Sequence, residues 1–261
     1  MKKKALIFGV IFGFLMLTLA TSQVFANSVQ EQQPTFKMIS PQELAKELRN
    51  PNSERLKAWG YLIEFDMSAS SLNNWLSSNP EILNKVKEMV EADQEMQDYL
   101  KEDVNVAAIL LDQNFKSDEF NQEFDKLRKA YKKVILVVQQ NLDSSQEEHV
   151  KESQRLAEFL KKLDDLDLFT TKGLLQYQAD YSRAYYVYSF INLWARSNSV
   201  ALDDTKVNEI IVVVQAIGQY LASNADKNSK EFQTTIAEYL KTLYEKIEEL
   251  IKFIEFLPAT E

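Results

Sequence analysis

The sequence predicts an all-α fold, an antiparallel multi-helix bundle built from long amphipathic helices, and three observations predict it. The first is missing punctuation. After Gly13 the 261-residue chain has only Gly60, Gly173 and Gly218, and no proline occurs between Glu81 and Leu257. Tight turns and sheets draw on both residues, so their scarcity leaves long helices. The second is periodicity. Phe232, Ile236, Tyr239, Leu243, Ile247, Leu250, Ile254 and Leu257 step by three or four, as do Phe120, Phe124, Leu127, Tyr131, Val134 and Val138. Such stripes hold one face of a helix and need neighbouring helices to cover them. The third is a series of legible helix starts.

Taken in order, Met1-Lys2-Lys3-Lys4 is basic, Ala5 to Ala20 is apolar and uncharged, and Val24-Phe25-Ala26 has the small-x-small form of a cleavage site. Residues 1–26 are therefore expected to be a cleaved signal peptide, with export to the periplasm or the extracellular space. Residues 27–40 are polar and carry Pro34, and are expected to be a flexible lead-in. A helical domain is expected over 41–258, either as one bundle or as a smaller part over 41–113 and a main bundle over 114–258.

Within it, Ser40-Pro41-Gln42-Glu43 places a capping serine before a proline at the first helical position. Asn79-Pro80 repeats the device. Ser145-Gln146-Glu147-Glu148 and Asn228-Ser229-Lys230-Glu231 read as capping boxes, and Asp203-Asp204 puts negative charge at another start. Helices are expected near 41–49, 53–66, 71–77, 80–100, 103–113, 118–142, 146–167, 171–197, 205–223 and 230–257. An internal echo runs through them. Val137-Val138-Gln139 recurs as Val213-Val214-Gln215, and Ala157-Glu158-Phe159-Leu160-Lys161 recurs as Ala237-Glu238-Tyr239-Leu240-Lys241. It reads either as a duplicated helical hairpin or as two amphipathic helices sharing a small alphabet.

Charge and cysteine usage bound the function. The net charge is −9, and a chain cleaved after Ala26 loses three lysines and no acid, leaving −12. Acidic surface repels phosphate, so nucleic acid and anionic membranes are not expected partners. There is no cysteine, so lipidation at an N-terminal cysteine is excluded and an exported chain must be held by its core. No span is expected to remain in a membrane after cleavage.

No cofactor or metal signature assembles. His149 is the only histidine, which excludes His-pair zinc motifs and the paired Glu-x-x-His pattern of di-iron bundles. It is expected at the half-exposed rim of an apolar stripe with Leu156 and Leu163. Asp164-Asp165-Leu166-Asp167 is the densest carboxylate cluster, but a single cluster lacks the further ligands a divalent ion requires. Asp93 falls on the apolar line of Ile82, Val86, Met89, Met96 and Leu100, where an unpaired carboxylate is costly.

The expected helix at 171–197 is the most distinctive. Tyr177, Tyr181, Tyr185 and Tyr188 step along one face, while Tyr186, Phe190 and Trp194 line another. A helix apolar on most sides is expected at the centre of its bundle. One reading makes the tyrosines core residues whose hydroxyls reach the surface. The other makes Tyr177, Tyr181, Tyr185, Tyr188 and Trp194 an aromatic groove for an apolar or peptide ligand, with Arg183 or Asp180 supplying charge. Leu257-Pro258-Ala259-Thr260 resembles the opening of the sortase signal of Gram-positive surface proteins. That family's next residue is glycine where this chain has Glu261, and Pro258 is read as a helix stop.

The leading functional expectation is an exported, non-enzymatic bundle that binds a protein or an apolar ligand. The alternatives are a secreted helical toxin or membrane-active effector, and an all-α enzyme working with carboxylates.

Overall fold

The structure, a computed structural model, describes residues 37–96, 103–169, 174–223 and 226–258. The signal peptide and most of the lead-in expected from the sequence lie outside these residues. The helices are α1 (Pro41–Arg49), α2 (Glu54–Ser77), α3 (Pro80–Ala92), α4 (Asp103–Leu111), α5 (Ser117–Gln140), α6 (Glu147–Asp164), α7 (Gln176–Ser197), α8 (Asp204–Leu221) and α9 (Lys230–Glu255), with a 3-10 turn over Leu166–Phe169. The described residues form no β-strand. The single isolated bridge, Met38 to Asp112, holds the entry of the chain together with the Ile39 N–H bond to the Leu111 carbonyl. Ile39 is buried there, so the end of the expected lead-in is fixed from Met38 onward.

Local chemistry sets the helix ends. Ser40 and Glu43 form a reciprocal capping box on α1, Ser53 caps α2 at Leu56, Asp203 caps α8, and Ser229 caps α9 at Phe232. The start of α6 differs from expectation. Ser145 does not cap it, because its hydroxyl and N–H both turn back to the Asp143 carboxylate. Those hydrogen bonds hold the Asp143 carboxyl down at about 2, with the Ser145 hydroxyl as the main cause.

Two helices expected separately, 53–66 and 71–77, are one. Ser68-Ala69-Ser70-Ser71 favours caps and turns on its own. Here the Ser68 hydroxyl bonds back to the Glu64 carbonyl, and Ala69 and Leu72 are buried, so packing carries the helix through. The helix expected over 80–100 instead breaks at Asp93, whose carboxylate accepts from the Met96 N–H and pairs with Lys133 at 2.7 Å. The side chain that looked costly on an apolar line is therefore a cap and an ion-pair partner.

Cross-contacts show several packed pairs running antiparallel. Residues 59 and 64 of α2 meet 189 and 186 of α7, and 71 and 75 of α2 meet 155 and 149 of α6. Residues 85 and 93 on the α3 side meet 141 and 133 on the α5 side. Residues 206 and 220 of α8 meet 249 and 232 of α9. Gln42 and Arg49 of α1 meet Leu257 and Glu248 at the end of α9.

The centre of the bundle is α2, not the tyrosine-rich α7. It packs against α1, α3, α4, α5 and α7, and Leu56, Ala58, Leu62, Phe65 and Leu72 bury different sides of it. Phe65 lies between Phe124 and Tyr131 of α5 and Phe159 of α6, with ring centroids 5.4, 4.9 and 5.9 Å away. Full burial of such a side chain contributes about 1.5–3 kcal/mol of transfer free energy, so the core rests on many similar contributions. On the far side, α7 packs against α2 and α9, and α8 lies at the edge along α9.

Candidate functional site

Helix α7 joins the two sides of the bundle through three faces. Its inner face carries Ala184, Val187, Phe190, Ile191, Trp194 and Ala195, all buried. Trp194 has no exposed surface, and its indole N–H donates to the Ile39 carbonyl at 2.9 Å. It is a fixed part of the core and presents nothing to a ligand.

The face toward α2 is tightly fitted. The Trp59 indole donates to the Ser189 hydroxyl at 2.9 Å, and its ring lies 5.7 Å from that of Phe190. Gly60 admits the Tyr186 ring, since a Cβ at that position would stand 2.9 Å from its Cε2. The Tyr186 hydroxyl donates to Glu64 Oε1 at 3.1 Å. Burial, and secondarily the Glu64 charge, pushes the Tyr186 phenol well above its ordinary value. On the α9 side, Tyr177 meets Phe232 edge-on at 5.6 Å, and the Tyr244 hydroxyl donates to the Asp180 carbonyl at 2.9 Å.

Tyr181, Tyr185 and Tyr188 lie on the face that remains, turned away from Trp194 by the helical advance of about 100° per residue. All three are half-buried. Burial raises each phenol. Tyr185 reaches about 12, with Tyr181, Tyr188 and Glu64 adding to the effect of desolvation. In Tyr188 burial is opposed by the side chain of Asn192 and the charge of Arg196, and the net shift is still upward. The three rings form a patch of neutral phenols at the surface. Each offers an apolar body and a polar tip that can both donate and accept.

The six residues singled out from the sequence thus divide. The structure brings Tyr181, Tyr185 and Tyr188 together. Tyr177 begins the same stripe but is committed to Phe232. Arg183 lies nearly opposite Tyr185 around the helix, close enough to Tyr244 for its charge to oppose the rise that burial gives that phenol. Trp194 is sealed inside. Glu64 joins the patch from α2, and nothing in the local sequence around it signals that role.

A shallow open depression of about 500 Å³ lies over α9 between Lys230 and Lys241, and a crevice of about 120 Å³ separates Glu54 and Lys57 from Ser117 and Asn121. Neither is lined by a residue of α7.

The other constellations are tied into the fold. His149 accepts the Asp143 N–H at Nδ1, 2.9 Å away, and its ring meets Trp75 edge-on at 5.5 Å. Asp164 pairs with Lys132 at 2.6 Å, and Asp165 accepts the Asp167 N–H. Among the described residues, no group of three or more His, Asp or Glu is placed to hold a metal ion. Also among them, no helix is long and apolar enough to cross a membrane. Compared with known protein families, curated proteins and solved structures, the chain matches none.

Proposed function

We propose that the chain is exported and acts without catalysis, binding a protein partner through the tyrosine face of α7. The observation that carries this reading is the patch of Tyr181, Tyr185 and Tyr188, half-buried on one outward face with their phenols held neutral. Tyrosine is enriched in protein interfaces because a large ring with few rotatable bonds loses little entropy on contact, while the hydroxyl finds a partner. A protein is favoured over a small apolar ligand by shape. Small-ligand sites are concave and bury most of the ligand, and the hollows over α9 and between α2 and α5 lie away from α7. The acidic balance supports a partner other than nucleic acid.

The test compares immobilised wild type with Tyr181→Ala/Tyr185→Ala in capture from envelope and extracellular fractions of the source cells. The expected result is a specific protein retained by wild type and lost by the variant, with helical content unchanged by circular dichroism. Equal capture by both removes the tyrosine face from the function. Export is tested by N-terminal sequencing of the secreted form, which is expected to begin at Asn27.

A further inference from the structure

We infer that His149 and Asp143 form a pH-sensitive latch at the corner where α5 turns into α6. The Asp143 N–H holds the neutral imidazole, and the Asp143 carboxylate holds the protonated one. His149 is the only histidine of the chain. It is half-buried in the first turn of α6, with its ring edge-on to Trp75 of α2 at 5.5 Å.

The direction of one hydrogen bond carries the inference. The Asp143 N–H donates to His149 Nδ1 at 2.9 Å. A ring nitrogen that accepts carries no proton, so the ring in this arrangement is neutral with its proton on Nε2. In an imidazolium both nitrogens are donors. Protonation of Nδ1 therefore sets one N–H against another, and the bond between residues 143 and 149 is lost. Histidine is the side chain whose ordinary charge change falls between about pH 5 and pH 8.

Asp143 also supplies the replacement. Its carboxyl is held at about 2, chiefly by the Ser145 hydroxyl, and the His149 charge acts in the same direction. It therefore stays ionised where a histidine titrates. Oδ1 takes both the N–H and the hydroxyl of Ser145, and Oδ2 takes the side-chain amide of Gln146. The Gln146 amide is the bond that gives way, because a hydrogen bond between two ions is stronger than one from a neutral donor. On α6 itself Glu147, Glu148 and Glu152 favour the cation, while Lys151, paired with Glu147, and the positive end of the helix dipole oppose it. Residues 67–80 of α2 and 134–142 of α5 carry no charge. From α3, Lys85 reaches the turn by donating to Asn141 Oδ1, with Glu81 one helical turn before it. Asp143 thus offers a donor and an acceptor to the same ring nitrogen, and the exchange resets the start of α6 against Trp75.

Nuclear magnetic resonance of the protein with 15N-labelled histidine tests this, since a single histidine gives a single pair of ring nitrogens. At about pH 8 the expected form has its proton on Nε2 and none on Nδ1. Between about pH 8 and about pH 5 the Asp143 N–H and the Gln146 side-chain amide are expected to shift with the midpoint of the ring. Over the same range the exchange protection factor of the Asp143 N–H is expected to fall several-fold. Asp143→Asn keeps the backbone donor and removes the charge. It is expected to retain the Nε2–H form at high pH and to protonate its histidine at lower pH than wild type. A proton on Nδ1 at about pH 8 overturns the latch, and so does an Asp143 N–H whose protection is constant while the ring titrates. A histidine that titrates at the same pH in Asp143→Asn as in wild type overturns the part given to the carboxylate.

Discussion

Arg55 caps the C-terminal end of α4: its Nη1 donates to the carbonyl oxygens of both Leu110 and, at 2.7 Å, Asp112. Arg55 is 5% exposed, and its guanidinium lies 4.9 Å from the centre of the Phe115 ring. Burial pulls it below its ordinary value, while the charges of Glu47, Asp112 and Glu43 act in the opposite direction. The last carbonyls of a helix have no partner within it, and a buried unpaired carbonyl is costly. Arg55→Met keeps much of the apolar stem and removes the donors, so it is expected to cost about 1–3 kcal/mol. Arg55→Ala also leaves a cavity and is expected to cost about 3–5 kcal/mol. Urea unfolding measures both, and a Met variant indistinguishable from wild type would remove the capping role.

Gly60 and Tyr186 are expected to couple with a change of sign. Alanine at position 60 favours the helix by about 1 kcal/mol over glycine. Its Cβ would stand 2.9 Å from a ring that the Glu64 hydrogen bond holds in place. Overpacking of this kind costs about 1–3 kcal/mol, so Gly60→Ala is expected to destabilise the protein. In a Tyr186→Ala background the clash is gone, and the same substitution is expected to stabilise by about 1 kcal/mol. Equal effects in the two backgrounds would show that the ring does not depend on the glycine.

Alkaline pH is expected to unfold the protein through its tyrosines. Tyr185 is raised to about 12, and Tyr181, Tyr186, Tyr188 and Tyr244 are also raised, each chiefly by burial. A folded value above the unfolded one means that the stabilisation is complete below about 10, the unfolded phenol. It is lost as pH rises through the folded value of about 12. The melting temperature is therefore expected to fall above about pH 10, with part of the phenolate absorbance appearing only as the fold is lost. Tyr185→Phe, which cannot ionise, is expected to flatten that fall.

Glu152 and Arg155 form the next test. Glu152 is 4% exposed, and its carboxylate takes a 2.6 Å bond from Arg155 Nη2, which also donates to the Ser71 carbonyl on α2. Removing one member of such a pair strands the other in the interior. Arg155→Ala is expected to cost about 2–4 kcal/mol by chemical denaturation. Adding Glu152→Gln is expected to recover part of that loss. A double variant no more stable than Arg155→Ala would show that the buried carboxylate is not the source of the cost.

The tyrosine patch was half legible in the sequence. Steps of three and four put Tyr181, Tyr185 and Tyr188 on one line, and that line survives folding. The same spacing put Trp194 on another line, but it could not say which line faces outward. The side of α7 that meets solvent depends on where α2 and α9 lie, and their contacts with it come from residues such as Trp59, Glu64 and Tyr244.

What the sequence by itself determined is local. The caps at Ser40, Ser53, Asp203 and Ser229 and the stripe of α9 act between residues within four positions of each other, so their physics is contained in the segment. Only the tertiary structure decided that the serine-rich stretch before Leu72 stays helical, that α2 takes the centre, and that α8 lies at the edge along α9. Each of these is a balance between a weak local preference and burial by partners far along the chain. The bond from Arg55 to Leu110 shows why: neither residue signals the other, and the helix end and the guanidinium meet only when the core has brought them together.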